Sequence, residues 1–232
     1  RLGLRLSFHP SQYVVLNAPD DGLVTRSAAD IEVQAGILEM MGLGPEAVVI
    51  LHVGGLYGDR EAARERFIRG FERLSEAARR RLVLENDEKS FAVADTHWIH
   101  QRTGIRLVFD NLHHRHNPAG LEPHEALALA LQSWPADQRP KIHVSSPRTE
   151  MRVLQQRDPQ TGRPVDVIRP PLWTQHADYV NPFEFIDFVR QAERANLRPF
   201  DVMLEIKAKD LALLRLRGDL DAFAPDLAAR LE

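Results

Sequence analysis

Eight side chains that can bind metal ions lie at the ends of short apolar segments or in the loops that follow them. All eight offer nitrogen or oxygen donors, which suit Mn, Zn, Fe or Mg. The chain has no Cys, which excludes disulfides, thiolate ligands and Cys nucleophiles. Eight ligands are too many for one ion, so the set predicts two or three divalent ions. The candidates are His9, His52, Glu85, Asp110, His113, His143, His176 and Glu205.

Such a cluster suits the hydrolysis of phosphodiesters. Carboxylates can bridge ions about 3.5–4 Å apart, the spacing found in two-metal phosphoryl enzymes, and we predict catalytic roles for Glu85, Asp110 and Glu205. The ions would activate water and stabilise the leaving oxygen, without a covalent enzyme intermediate. Taken singly, each residue is more simply a polar cap at a strand end, and the recurrence is what favours a metal site.

Three lysines extend the candidate site. Side chains two residues apart on a strand share a face, so Lys141 faces the site if His143 does. A lysine beside cations must be neutral, pair with phosphate or become a carbamate, and the simpler alternative is a lysine paired with a carboxylate. Lys207 and Lys209 follow Glu205, and phosphate contact is the simplest role for them.

The predicted ligands follow segments of buried-strand character, and helical segments separate these strands. Alternating strands and helices predict a parallel sheet covered by helices. Polar strand ends that meet at one point favour an α/β fold of the TIM (βα)8 barrel type. An open doubly wound sheet would not gather the strand ends, and the sequence has no GxGxxG loop. The predicted strands are residues 4–9, 48–52, 82–85, 105–110, 141–144 and 201–205.

Six strands rather than eight predict a barrel that lacks its first two βα units, which we place before Arg1. We expect residues 1–232 to form a single domain. Ser27 is predicted to cap a helix over residues 28–42, and Asp59 to cap one Arg-rich helix over residues 60–80. Further helices are predicted at residues 91–102, at residues 123–133, from Asn181-Pro182 onward, and after Glu205.

Residues 145–180 form the longest stretch without a helical pattern. Five of its prolines and one glycine interrupt it, and we predict an irregular active-site loop or lid. The interrupting residues are Pro147, Pro159, Gly162, Pro164, Pro170 and Pro171.

Composition sets limits on location and partners. The 232 residues are 44% hydrophobic, and no apolar run approaches the roughly 20 residues that a membrane span requires. We therefore predict a cytoplasmic, monomeric protein whose N-terminus, an Arg rather than a Met, is cut. The net charge of -3 counts mildly against DNA binding, but bound divalent cations would add positive charge where a phosphate sits.

Five motifs together resemble those of the UV damage endonucleases, and the resemblance runs from His9 to Lys209. That family is similar to the endonuclease IV type of TIM barrel, which has a trinuclear metal site, commonly manganese. Zn2+, Co2+ and Mg2+ are the alternative ions. The motifs are His9-Pro10-Ser11-Gln12-Tyr13, Leu84-Glu85-Asn86-Asp87, Phe109-Asp110-Asn111-Leu112-His113-His114, Lys141-Ile142-His143-Val144-Ser145-Ser146 and His176-Ala177-Asp178-Tyr179.

The resemblance implies a role for each candidate. Lys141 matches a lysine that can be carboxylated, and we predict a catalytic role for it. Gln12 with Tyr13 matches a probe pair that enters the duplex at the lesion. The simpler alternative for this pair is an ordinary loop packed over the barrel mouth. The ligands would fall into three groups: His9, His52 and Glu85; Glu85, Asp110, His143 and Glu205; and His113 with His176.

The implied activity is a cut 5′ of the damaged base in double-stranded DNA that leaves a 3′-hydroxyl. Substrates would be cyclobutane dimers, 6-4 photoproducts and abasic sites. The alternative enzyme is a sugar isomerase of the xylose isomerase type, which would need a compact polar pocket and would have no use for an exposed Gln12-Tyr13 wedge. A non-catalytic binding protein would not explain eight ligand-type residues at strand ends.

Overall fold

The structure is a computed structural model that describes residues 5–231. These residues form two compact units, each assembled from two segments of the chain. The first contains residues 5–143 and 191–203, and the second contains residues 144–190 and 204–231. That residues 1–232 form a single domain stays a prediction.

The first unit is built on a parallel sheet whose strands follow one another in chain order. Its strands are β1 (Ser7–Phe8), β2 (Val48–His52), β3 (Leu82–Glu85) and β4 (Arg106–Val108).

Strands β2 and β3 are apolar up to their last residue, and β4 is apolar after Arg106, because both faces of the sheet are covered. The register sets His52 beside Glu85 and Glu85 beside Val108. The carboxyl ends of neighbouring strands therefore lie side by side, and the polar residues that end or follow them are brought together.

Strand β5 (Lys141–Val144) continues this order. The backbone N–H of His143 donates to the carbonyl of Phe109 at 2.8 Å, and Asp110 forms a parallel bridge with His143. Strand β10 (Asp201–Leu204) pairs with β5. Strands are therefore confirmed in all six predicted places, although residue 4 of the first predicted strand lies outside the described residues.

Six helices connect the strands of the first unit. They are α1 (Asp21–Met40), α2 (Arg60–Glu72), α3 (Glu76–Arg81), α4 (Val93–Thr103), α5 (Asn111–His116) and α6 (Pro123–Gln132).

The prediction that Ser27 caps the first helix is wrong. The side chain of Asp20 caps α1 by accepting a hydrogen bond from the backbone N–H of Leu23. Ser27 lies within the helix, where its hydroxyl accepts from the backbone N–H of Val15 at 3.0 Å. Both residues are good N-caps, and the need of the Val15 amide for a partner decides between them.

A single helix over residues 60–80 is also wrong, although Asp59 does cap its first part. The helix is interrupted after α2. Ser75 then caps α3 by accepting a hydrogen bond from the backbone N–H of Ala78 at 3.1 Å. Glu32 binds the hydroxyl of Ser75 at 2.7 Å. This hydrogen bond therefore attaches the turn between α2 and α3 to helix α1.

The second unit corrects the prediction that residues 145–180 are irregular. Strands β7 (Arg152–Arg157) and β8 (Pro164–Arg169) form an antiparallel hairpin, and β6 (Pro147–Arg148) pairs with β9 (Leu172–His176). Pro159 and Gly162 lie in the turn of the hairpin, so these residues mark where the strands reverse rather than a lack of strands.

The remaining helices are α7 (Pro182–Arg194), α8 (Lys209–Phe223) and α9 (Pro225–Ala228). The side chain of Asn181 accepts from the backbone N–H of Phe183 at 3.0 Å, which confirms the predicted start of α7. Among residues 5–231, none of the helices combines the length and hydrophobicity needed to cross a membrane.

Candidate metal centre

Glu85 lies at the centre of the candidate site in the first unit. Its side chain ends β3 and is fully buried. One carboxylate oxygen lies 2.8 Å from Nδ1 of His143, and the other lies 3.0 Å from Nε2 of His9 and 3.7 Å from Nε2 of His52. One oxygen therefore faces His143 and the other faces His9 and His52, an arrangement suited to a carboxylate that bridges two ions.

The charge state of Glu85 follows from these neighbours. Burial alone raises the pKa of a carboxyl group, but His143 and His52 outweigh burial and hold the pKa of Glu85 well below its ordinary value. Glu85 is therefore ionised, as a metal ligand must be.

The ligand atoms form two overlapping groups around Glu85. Ligand atoms of His9, Glu85 and His143 lie within 4.8 Å of one another, and so do those of His52, Glu85 and His113. The rings of His52 and His113 meet edge to face, with centroids 5.3 Å apart. Two ions that share Glu85 would fit these groups.

Asp110 joins the site from the end of β4. Its Oδ1 accepts from the backbone N–H of His113 at 2.7 Å and so caps α5, which places the His113 side chain. Burial raises the pKa of Asp110, the nearby Glu85 adds to the increase, and the histidines oppose it.

Two buried atoms test whether the site suits a cation. Oδ2 of Asp110 and Nδ1 of His52 have no hydrogen-bond partner among the described residues. A buried carboxylate oxygen or imidazole nitrogen without a partner carries an energetic cost, which a bound cation offsets. The residues present therefore fit the predicted metal ions.

Asn86 holds Asp110 in place. Its amide nitrogen donates to the carbonyl of Asp110 at 3.1 Å, and its amide oxygen accepts from the backbone N–H of Asp110 at 2.9 Å. This two-point contact fixes the loop after β4 against the end of β3.

Glu88 supports His113 and was not predicted. Its carboxylate lies 3.2 Å from Nδ1 of His113. Burial opposes protonation of His113, but Glu88, Asp110 and Glu85 raise its pKa to about 10, and the same contact lowers the pKa of Glu88 to about 2. Its position three residues after Glu85 was the available signal, but sequence spacing does not reveal a contact with a residue 25 positions further on.

Lys141 is buried, and its Nζ donates to the hydroxyl of Ser7 at 2.8 Å. Burial, reinforced by Arg5 and opposed by Asp201, lowers the pKa of Lys141 to about 8. The predicted alternative of a lysine paired with a carboxylate does not match this contact, since the hydrogen-bond partner is a hydroxyl. The catalytic role of Lys141 stays a prediction.

The predicted probe pair lies on the loop between β1 and α1. Gln12 and Tyr13 are exposed, and 75% of the surface of Tyr13 is accessible to solvent. The backbone N–H of Val14 donates to the carbonyl of Ser11 at 2.9 Å, which closes a turn at this point. The pair therefore projects from an ordered turn rather than packing onto the first unit.

The second unit holds the other predicted site residues. His176 ends β9, and its Nδ1 binds the backbone carbonyl of Glu205 and lies 4.0 Å from the Glu205 carboxylate. Lys207 and Lys209 are exposed, as phosphate contacts require. Within this unit the two predicted ligands are neighbours, and their place in a metal cluster stays a prediction.

Residues 1–226 match the family model described as UV-endonuclease UvdE. The chain belongs to this family. The UV DNA damage endonuclease of Bacillus cereus (strain G9842) is 32% identical over 220 residues, which are 94% of this chain and 63% of that protein. The UV DNA damage endonuclease of Clostridium perfringens (strain 13 / Type A) is 30% identical over 222 residues, which are 94% of this chain and 48% of that protein.

The chain spans 63% of the length of the Bacillus cereus relative. The crystal structure of SacUVDE is similar, with a TM-score of 0.74 and 33% identity over 94% of this chain and 65% of that one.

A D-psicose 3-epimerase from Clostridium cellulolyticum H10 has a TM-score of 0.52 at 12% identity, over 87% of this chain and 64% of that one, and indicates the fold alone. The UvdE chain thus has an α/β TIM-like fold.

Proposed function

We propose that the chain is the metal-binding part of a DNA repair endonuclease that hydrolyses the phosphodiester 5′ of UV photoproducts. Membership of the UvdE family supports this activity. The single observation that carries the proposal is the buried, ionised Glu85 with His9, His52 and His143 around its two oxygens. Cyclobutane dimers, 6-4 photoproducts and abasic sites in double-stranded DNA are the proposed substrates.

The proposed cofactor is a cluster of two or three divalent ions, with Mn2+ as the first choice and Zn2+, Co2+ or Mg2+ as alternatives. Asp110 Oδ2 and His52 Nδ1 support the presence of ions because both atoms are buried without another partner among residues 5–231. Bound ions supply the Lewis-acid chemistry that activates water and neutralises phosphate charge. The proposed ligands are His9, His52, Glu85, Asp110, His113, His143, His176 and Glu205.

The side chains of the protein perform the positioning around that chemistry. Glu85 and Asp110 are held by their hydrogen bonds before any substrate arrives, so little reorganisation remains to be done in the transition state. We assign phosphate contacts to the exposed Lys207 and Lys209. The lowered pKa of Lys141 increases the fraction of neutral amine, the form that formation of a carbamate requires.

Recognition of damage is assigned to Gln12 and Tyr13. An exposed aromatic ring can stack on an unpaired base, and an amide can fill hydrogen-bonding positions left open in a distorted duplex. Photoproducts weaken stacking and pairing, so entry of this pair costs less free energy at a lesion than in intact DNA.

We also propose that two further βα units complete an eight-stranded barrel in the full-length protein. Within the described part of the first unit, β1 pairs with β2 along one edge and has no strand along the other. The chain also spans only 63% of the Bacillus cereus relative. Both observations support a barrel that is closed by residues outside this sequence.

A plasmid assay tests the proposed function. The protein is incubated with irradiated and with untreated supercoiled plasmid, each with Mn2+ and with chelator. Nicking of irradiated plasmid that requires the metal is expected, and sequencing of the ends should place the cut 5′ of dipyrimidines. If neither plasmid is nicked while an open-chain sugar is isomerised, the runner-up assignment of a sugar isomerase replaces this proposal.

The oligomeric state is tested separately. We propose a monomer, and sedimentation over a range of protein concentrations should give the mass of one chain. A mass that rises toward twice this value with concentration contradicts a monomer.

A further inference from the structure

A two-stranded arm extends over residues 152–169 of the second unit. Strands β7 and β8 pair antiparallel through six consecutive positions, from Arg152 opposite Arg169 to Arg157 opposite Pro164. Nearly every side chain on both faces is exposed, including the directly opposed Val153 at 63% and Ile168 at 65%. An isolated hairpin of this kind is marginally stable in water, so its exposure favours a role in binding.

The arm is cationic, although the whole chain has a net charge of -3. It carries four arginines, Arg152, Arg157, Arg163 and Arg169, against two aspartates. Four arginines and two aspartates give the arm a net charge of +2. The arm is therefore a positively charged element of a chain that is acidic overall.

Two of the acids on or beside the arm, Asp158 and Asp178, are already engaged. Asp178 pairs with Arg152 at 2.9 Å. Asp158 folds the turn, where its carboxylate accepts from the backbone N–H groups of Gln160 at 2.9 Å and Thr161 at 2.7 Å. These contacts leave the arginines further along the arm without an acidic partner.

Three arginines are free to bind an external anion. Arg163 and Arg169 have no side-chain partner within residues 5–231, and Arg157 donates only to the carbonyl of Gly162 at 3.3 Å. Arg152 and Arg169 also lie directly opposite each other, an arrangement that costs free energy in an isolated hairpin. Anions bound along the arm would offset that cost.

We propose that this arm binds the sugar-phosphate backbone of duplex DNA, apart from any contact at the lesion. Six residues of strand span about 20 Å, which matches about six base-pair steps at ~3.4 Å each. A two-stranded ribbon also fits the major groove, where one of Gln155 and Gln156, which lie on opposite faces of β7, would meet polar base edges. The inference rests on the proposed function because DNA is the polyanion that such an enzyme meets.

A second copy of the chain is a less suitable occupant of the arm. Symmetric packing of two arms would bring the arginines of one against those of the other, since a twofold contact uses the same patch on both partners. Repulsion between like charges would oppose that contact. The charge pattern therefore favours a polyanion over self-association.

The test is the salt dependence of binding to an undamaged duplex in the presence of chelator. The variant R157A/R163A/R169A removes three positive charges from the arm. The matched control R69A/R79A/R217A removes three from exposed arginines elsewhere that have no side-chain partner among the described residues. Fluorescence anisotropy across a salt series measures the affinity of each protein.

The arm variant should bind at least tenfold more weakly at ~0.1 M salt, and the slope of log K against log salt should fall by about 2.7, from three contacts at ~0.9 each. The control should stay within about twofold of wild type. Equal losses in both variants, or no loss in the arm variant, overturn the proposal. Self-association that is lost only in the arm variant, as measured by sedimentation, also overturns it.

The outcome is separable from that of the nuclease proposal. If the wild-type protein binds DNA through the arm but never nicks irradiated plasmid, the arm assignment survives and the nuclease assignment fails. If it nicks the plasmid and the arm variant binds with unchanged affinity and slope, the reverse holds. The substituted side chains are exposed, and unchanged thermal melting in the presence of chelator confirms that each variant is folded.

Discussion

The carboxylate of Glu88 lies 3.2 Å from Nδ1 of His113, a contact that would leave Nε2 of the ring to hold a metal ion. A carboxylate in this position orients a histidine ligand and increases its basicity, and its loss typically costs 10–100-fold in metal affinity. We expect Glu88→Ala to weaken metal binding by about this factor, as measured by competition with a chelator. Glu88→Gln should retain part of the affinity, because an amide oxygen can still accept from Nδ1–H.

The control for this prediction is Glu65→Ala, which removes an exposed carboxylate of helix α2. It removes the same charge from the protein without touching an imidazole. Equal metal affinities for Glu65→Ala and Glu88→Ala would show that Glu88 contributes only through net charge.

Of the substitutions considered, removal of the Glu85 carboxylate should have the largest effect on nicking and on metal binding. Glu85→Ala leaves the imidazoles of His9, His52 and His143 without the group that lies between them, and we expect loss of nicking and loss of bound metal. Glu205→Ala should also bind fewer ions if the second unit supplies a ligand. Nicking at the wild-type rate by Glu85→Ala under limiting metal would rule out a bridging role.

Tyr13→Ala should reduce discrimination between damaged and intact DNA while leaving metal content unchanged. Stacking of a base on an aromatic ring contributes about 1–3 kcal/mol, so the preference for a lesion should fall roughly 5–150-fold. Tyr13→Trp, which keeps an aromatic surface, should retain most of the preference. An unaltered ratio of affinities in Tyr13→Ala would remove the probe assignment.

Gly70 in helix α2 packs closely against the loop that carries Gln12 and Tyr13. A Cβ added at Gly70 would lie 2.2 Å from the carbonyl oxygen of Leu16, so Gly70→Ala must displace that backbone. We expect a loss of about 1–3 kcal/mol in the free energy of unfolding, as measured by denaturant melts. Damage recognition should weaken along with stability.

Gly36→Ala is the matched control because a Cβ at this position meets nothing within 4 Å. Alanine in a helix interior should raise the free energy of unfolding by roughly 0.5–1 kcal/mol. Destabilisation by Gly36→Ala that equals the effect of Gly70→Ala would show that the close contact with Leu16 is not the cause.

The sequence by itself determined the positions of six of the strands and the polar residues at their ends. Two strands can be recognised from the sequence, Val48–His52 and Leu82–Glu85. Both faces of the sheet are buried, so the residues of these strands are apolar up to the last one. Other features were predicted wrongly because the local sequence is compatible with more than one structure. Asp20 and Ser27 are equally good caps by type, and the arm was missed because its turn residues, Pro159 and Gly162, resemble those of an irregular loop.

Only the tertiary structure decided which polar side chains meet. His9, Glu85 and His143 are separated by 76 and 58 residues, and their distances follow from the register of neighbouring parallel strands rather than from any spacing along the chain. The same holds for Glu88 with His113 and for Lys141 with Ser7. Periodicity encodes which face a residue occupies, whereas a contact between distant residues depends on how whole elements pack, and that packing is a property of the entire core.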